Sequence, residues 1–576
     1  MGVLASVGLA TAALAGCSSS TDNSASSAAG SSSESSASSA AAAVDGSQKA
    51  AAVLAANQDV HAEAADTEVD SAGAVGIELN GDSASADGDG VKVDGPTVTI
   101  TVAGTYRVGG TLDDGQLVVT APEAKVTLIL DGAKISHSKG AAIDVTDADE
   151  AVVVLADGSA NSLSDAASYS DDAEANAALH STADLTIGGS GSLTVKGNGN
   201  DGITSTDGLV IQGGTLTVDA ADDGIRGKDY VVVNGGTVTV TAKGDGLKAD
   251  NTEDADRGYI AVGGGTVKVT SAGDGIDAAT DLVATAGKVT VTSEASDDSS
   301  AHGLKSGVIT VLEGGTVDVT SSADALHGDG AVHLDGAAAT LAAGDDGVHA
   351  EGDLVISAGT VKVTRANESL EGKDILVSGG STAVISGDDG VNASGSEATS
   401  TDEGGQGGFG GRGGGEGVGD FTVTVTGGTV VVNGPERNGN GALDVNGDLT
   451  VNGGTLLAAG SAGMLVALAD GSEQGWLSAT LDSALQAGET VHITDSDGKV
   501  VASYVTSKAV QNIVSSGEGI ENGKEYTVHT GGSTSGTSTG GLAEAGELGS
   551  AEKTTTVTAG EAPEGGGFGG GGGRRP

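Results

Sequence analysis

The sequence predicts an all-β protein, a right-handed parallel β-helix with about 22 residues per coil and a small C-terminal β cap. Three observations carry this. A phrase recurs: an acidic residue, a glycine, an aliphatic residue, then a strand that ends before Gly-Gly-Thr. Its acidic position falls at Asp201, Asp223, Asp245, Asp274, Asp324, Asp346, Glu368 and Asp389, with steps of 22 residues from 223 to 245, 324 to 346 and 346 to 368. The strands between are built of Val, Ile and Thr and alternate with period two, as in Thr237-Val238-Thr239-Val240-Thr241, which puts Val238 and Val240 inside and the threonines outside. Aromatic residues are 2% of the chain and glycines number 101. That composition suits small aliphatic stacks with glycine corners better than a bulky globular core.

The elements follow in order. Residues 3–16 are small and apolar and run into Leu14-Ala15-Gly16-Cys17, which resembles a bacterial lipoprotein signal. On that reading 1–16 is the signal peptide and Cys17, the chain's one cysteine, is the lipidation site. No Lys or Arg precedes the apolar stretch. Residues 17–72 are read as a Ser/Ala-rich tether, and the protein as membrane-anchored at the cell surface, on the outer face of the cytoplasmic membrane. Residues 73–200 hold irregular early coils, with strands at Thr97–Val102, Val126–Leu130 and Val152–Leu155. Regular coils fill 201–462, interrupted by a Gly-rich insertion at 394–419. Residues 463–531 read as the β cap. Residues 532–576 are Gly, Ser and Thr with few apolar residues and are expected to be disordered.

Lys plus Arg total 26 against 80 Asp plus Glu, a formal net charge of −54. A polyanion would be repelled, so nucleic acid is not a partner. Stacked coils turn the acidic positions into a ladder at the strand spacing of about 4.8 Å. Neighbouring charges at that distance repel by about 0.9 kcal/mol in water and about 3.5 kcal/mol at an effective dielectric of 20. The column three residues further on reads Thr204, Arg226, Lys248, Asp277, Lys305, His327, His349, Glu371, Asn392 and Asp444. Its cations can offset the ladder near Arg226, Lys248 and Lys305, which are also candidate ligand-binding residues. Around Asp274/Asp277 and Glu368/Glu371 they are expected to fall short. Two oxygen-rich clusters therefore become candidate Ca²⁺ sites: Asp245, Asp250, Asp254, Asp274 and Asp277, and Glu368, Glu371, Asp388, Asp389 and Asn392. The competing reading is that Asp-Gly and Asn-Gly are preferred turn residues. His302, His327 and His349 read as exposed ladder positions rather than zinc ligands.

The coils Asp222-Asp223-Gly224-Ile225-Arg226-Gly227-Lys228-Asp229, Gly246-Leu247-Lys248-Ala249-Asp250-Asn251 and Glu368-Ser369-Leu370-Glu371-Gly372-Lys373, with Asn446-Gly447-Asp448-Leu449-Thr450-Val451-Asn452-Gly453-Gly454-Thr455, resemble those of the bacterial cell-surface carbohydrate-binding β-helix family. The resemblance spans about 75–531 and departs at Gly441-Ala442-Leu443, where an acidic corner is missing. It implies a polysaccharide-lyase-like fold, calcium, and association with cellulose or acidic plant polysaccharides such as polygalacturonate. No catalytic residue is assigned. The alternatives are a calcium-dependent lyase with Arg226 or Lys248 as base, a glycoside hydrolase with paired Asp residues, and a structural adhesin stalk. An ice-binding face is disfavoured by Lys268, Asp318 and Lys362 in the outward column Thr217, Thr239, Lys268, Thr290, Asp318, Thr340, Lys362.

Overall fold

The computed structural model describes residues 44–69, 71–170, 173–295, 300–393 and 421–562. Cys17 and the insertion 394–419 lie outside them. The described chain winds into a parallel β-solenoid of about 13 turns, with three parallel sheets running its length. The first contains Gly208–Ile211, Tyr230–Val233 and Tyr259–Val262, stacked in register. The second contains Thr215–Ala220, Thr237–Ala242 and Thr266–Ser271. The third is a narrow corner sheet of Ile225–Gly227, Leu247–Ala249, Ile276–Ala278, Leu304–Ser306 and Leu326–Gly328.

Most regular coils turn at Gly-Gly between the first and second sheets, and the others at Ala286-Gly287, Asp335-Gly336 and Ala358-Gly359. The second position is a positive-φ glycine in each of these turns, with φ of 80° at Gly236 and 75° at Gly265, a conformation a Cβ would strain. The alternation then sets the core. Val238, Val240, Val267, Val269, Val361 and Val363 are all buried inside the tube. The threonines between them point outward, and the outward column from Thr217 through Lys268 and Asp318 to Lys362 is in continuous register.

Both ends are closed. The first coils carry antiparallel pairs, Val75–Gly81 with Ala84–Ala86 and Val91–Asp94 with Thr97–Ile100. At the other end Val510–Ser516 pairs antiparallel with Thr455–Gly460 and with Trp476–Leu485. A separate six-stranded antiparallel sheet then completes the cap. That sheet corrects the expected disorder of 532–576 for residues 532–562, the rest lying outside the described residues. Ser533–Thr539, Leu542–Glu547 and Glu552–Thr558 are strands, and Glu552–Thr558 pairs with Glu525–Thr530. Few apolar residues suffice because these strands add at sheet edges and backbone hydrogen bonding holds them.

The reading of 17–72 as a tether is also corrected from residue 44 onward. This arm lies along the outer face of the first sheet. The helix Ala50–Ala56 buries Ala50 and Val53 against Val283, Ile309, Val311 and Ala331. From there the arm runs back along the solenoid. Asn57 donates to Asp281 at 2.7 Å, Tyr259 OH donates to the Gln58 carbonyl at 2.9 Å, and the His61 N–H donates to Tyr230 OH at 3.0 Å. It ends with Asp66 paired to Lys125. The first sheet is therefore buried on both faces. Its strands accordingly read as continuous apolar runs such as Tyr230-Val231-Val232-Val233, not as alternations.

Candidate functional site

Two columns run down the corner edge. The corner column comprises Asp201, Asp223, Asp245, Asp274, His302, Asp324, Asp346, Glu368 and Asp389. The column three residues on is in continuous register from Thr204 to Asp444, as its spacing implied.

The corner carboxylates have a structural task. Asp223 Oδ1 accepts the backbone N–H of Asp245 at 2.7 Å, and Asp245 Oδ1 that of Asp274 at 2.7 Å. Asp274 Oδ1 takes the N–H of His302, Asp324 Oδ1 that of Asp346, and Asp389 Oδ1 that of Gly441. Each short acid thus satisfies a donor on the next coil that a buried corner would leave orphaned. The other carboxylate oxygens meet the second column. Lys248 Nζ lies 2.6 Å from Asp245 and 3.2 Å from Asp223. Burial opposes the charge on Lys248, but Asp223 and Asp245 outweigh it and raise its pKa well above the lysine range.

The first expected calcium cluster does not gather. Asp250 binds Arg226, with Nε at 3.0 Å, and Asp254 faces Arg257 at 3.7 Å. Lys305 reaches Asp274 at 3.6 Å and Asp277 at 3.8 Å, so a cation does stand where none was expected. Asp277 keeps a carboxyl pushed up to about 6 by burial, against the pull of Lys305.

The second cluster gathers in part. Glu368 and Glu371 come together with Asp346, their ligand oxygens within 4.8 Å of one another. Asn392 donates to Glu368 Oε2 at 2.5 Å, and its own buried Oδ1 has no hydrogen-bond partner. Burial pushes the Glu368 carboxyl up to about 8, with Asn392 opposing and the charges of Glu371, Asp346 and Asp389 adding to the rise. Asp388 and Asp389 stay outside the group, and Asp389 serves the Gly441 N–H. Asp346 is the member that sequence reasoning missed, although it was visible one coil back in the corner column.

His302, His327 and His349 are not exposed ladder positions. Their side chains are 16–18% exposed; the His327 and His349 rings stack with centroids 4.9 Å apart, and the His302 ring tilts against His327 at 4.4 Å. His302 takes an acid's place in the phrase Ala301-His302-Gly303-Leu304-Lys305. Reading the corner position by its place rather than its charge would have found it.

The chain's one tryptophan, Trp476, is buried, as are Tyr106, Tyr230, Tyr259, Tyr504 and Tyr526. Among the described residues no large aromatic is exposed.

Residues 94–347 match the family described as carbohydrate-binding domain-containing protein. A carbohydrate-binding domain-containing protein of Acetivibrio thermocellus is 37% identical over 150 residues, covering 25% of this chain and 52% of the relative. The chain thus spans about half the length of that relative. A polysaccharide lyase-like protein from C. thermocellum, known from a solved structure, is 35% identical, covering 42% of this chain and 96% of that one, with a TM-score of 0.39.

Proposed function

We propose that the protein is a non-catalytic, cell-surface, polysaccharide-binding lipoprotein that takes an acidic, uronate-containing glycan through Ca²⁺ at the Asp346/Glu368/Glu371 corner. The observation that carries this is the carboxylate cluster: three carboxylates within 4.8 Å beside a buried amide oxygen, Asn392 Oδ1, that lacks a partner, with His349 Nδ1 2.9 Å from Glu371 and 3.2 Å from Asp346 as the cation that Ca²⁺ would replace. Six to eight oxygens from carboxylates, amides, carbonyls and water are what Ca²⁺ takes. The residues fit the ion. When bound it would reverse the local sign of a chain with net charge −54, which otherwise repels an acidic glycan. The absence of exposed large aromatics among the described residues favours ionic and hydrogen-bonded recognition over ring stacking.

A lyase reading is less well supported. A general base works best with a pKa near the operating pH. Lys248 is held protonated between two carboxylates, and Arg226 is engaged by Asp250. Neither is free to take a proton from a substrate.

The test is calorimetry with Ca²⁺ and with polygalacturonate, with and without EDTA, on the wild type and on Glu368→Gln/Glu371→Gln. The expected result is calcium heat at millimolar concentrations or below, and glycan binding lost with EDTA and in the variant alike. Glycan binding indifferent to EDTA would remove calcium from the reading, and no retention on any glycan of an array would remove carbohydrate binding itself. The anchor is tested apart. Cys17→Ala should shift the protein from membranes into the medium, and unchanged fractionation rejects lipidation.

A further inference from the structure

Next to the carboxylate-rich corner the same two columns change chemistry. His302, Asp324 and His327 bring two imidazoles and one carboxylate together, with ligand atoms within 4.8 Å of one another. His302 Nδ1 lies 3.4 Å and His327 Nδ1 2.7 Å from the same oxygen, Asp324 Oδ2. Asp324 is buried, and its Oδ1 is already committed to the Asp346 N–H, so Oδ2 is the oxygen left for the site.

The orientation of His327 is fixed from outside. Its Nε2 lies 3.1 Å from Asp329 Oδ1, an exposed carboxylate. A histidine that gives its Nε2 proton to a carboxylate presents the Nδ1 lone pair inward, the arrangement by which carboxylates orient metal-bound imidazoles. Here that lone pair faces a carboxylate oxygen. Two acceptors at 2.7 Å need a positive charge between or beside them, supplied by a proton or a metal ion. The His302 Nδ1 atom is buried and makes no hydrogen bond, which leaves it for the site. Ligand atoms on a tetrahedron with zinc's bond lengths of about 2.0–2.1 Å are about 3.3 Å apart, close to the His302–Asp324 separation.

We infer that His302, Asp324 and His327 form a binding site for a late first-row transition cation of the Zn²⁺ class, separate from the calcium corner. Imidazole nitrogens select zinc, copper and nickel, whereas carboxylate-only sets select calcium and magnesium. The two sites lie on neighbouring coils, with His349 between them beside Asp324 and Asp346. Three protein ligands leave a fourth position for water or for a donor from a partner. The inference rests on the two imidazoles and does not depend on the calcium reading.

The test uses the full chain, stripped with chelator, titrated with Co²⁺ at pH 7.5 in the presence of millimolar Ca²⁺, then with Zn²⁺. The expected result is one equivalent of Co²⁺ with a visible ligand-field band of low coordination number, displaced by Zn²⁺. His302→Gln and His327→Gln should each weaken it by about tenfold or more, and Glu368→Gln/Glu371→Gln should leave it unchanged. Circular dichroism of each variant checks that the solenoid persists. The wild-type titration stands without any variant. No Co²⁺ or Zn²⁺ binding at calcium-competing concentrations, or affinity indifferent to both histidine substitutions, overturns the site and leaves the histidines as protonated counter-ions of the ladder.

Discussion

Asp201 shows what an acidic corner does to stability. Its carboxylate is buried, accepts the Asp223 N–H at 3.2 Å, a Thr204 hydroxyl at 2.9 Å and the side-chain amides of Asn176 at 3.1 Å and Asn200 at 3.2 Å, and has Arg226 no nearer than 4.0 Å. Burial, reinforced by the charge of Asp223, pushes its pKa up to about 6 from 3.8. Between those values the folded chain holds a proton that the unfolded chain has released. Stability from this group therefore falls as pH rises from about 4 to about 6 and is flat above. Asp201→Asn keeps an oxygen for the Asp223 N–H and removes the charge. It should add about 2 kcal/mol at pH 7.5 and flatten the slope between pH 4 and 6. Urea unfolding at pH 4.5 and 7.5 checks this. A variant less stable than wild type at pH 7.5 would show that Arg226 already compensates the charge. At this scale the sequence was partly legible. The columns could be counted from the repeat, so Thr204 to Asp444 came out in true register. What could not be counted was where long side chains reach. Lys305 bends back to Asp274 and Asp277, and Arg226 reaches forward to Asp250, so the cluster that looked uncompensated is paired.

The arm is the element that the sequence hid. Its residues 44–69 are small and polar enough to read as tether, and a seven-residue helix is too short to stand alone. What holds it is tertiary. Ala50 and Val53 sit on the apolar outer stripe of the first sheet, and Asn57, Gln58 and His61 hydrogen-bond to successive coils. The signal lay in the partner rather than in the arm. Val210, Val232, Val283 and Val311 point away from the tube, yet are apolar and buried. A solvent-facing column would have been threonine and lysine, as in the second sheet. Val53→Asp places an unpaired charge against Val283 and Val311, at a cost of about 2 kcal/mol or more. It should release the arm while the solenoid stays folded. Hydrogen exchange should then rise across residues 45–60 and along the strand edges beneath, with far-ultraviolet circular dichroism unchanged. Protection in 45–60 equal to wild type would mean that the polar contacts alone hold the arm.

A solenoid of about 13 turns is a stack whose middle coils satisfy one another and whose ends do not. Its last parallel rung, Thr455–Gly460, would present a row of free N–H and C=O groups, with Leu456 and Ala458 turned to the core and Leu457 and Ala459 turned outward. Val510–Ser516 takes up that edge in antiparallel register, Leu456 opposite Ser516 and Gly460 opposite Asn512. The cap's own core then closes over Val431, Leu457 and Ala459 with Leu477, Tyr504 and Tyr526. The change from parallel to antiparallel pairing is what stops the repeat from recruiting a further coil, its own or another chain's. Truncation after Gly460 therefore removes more than a domain. It uncovers a flat edge beside an apolar patch, the combination that templates edge-to-edge association. The truncated chain should elute as a concentration-dependent series of oligomers, where the full chain runs as one species. Adding Leu457→Lys and Ala459→Lys to the truncation should restore the smaller species, because charges on the exposed face of an edge strand block pairing. If the truncated chain stays monomeric at the highest concentration tested, the parallel coils limit themselves and the cap serves some other need.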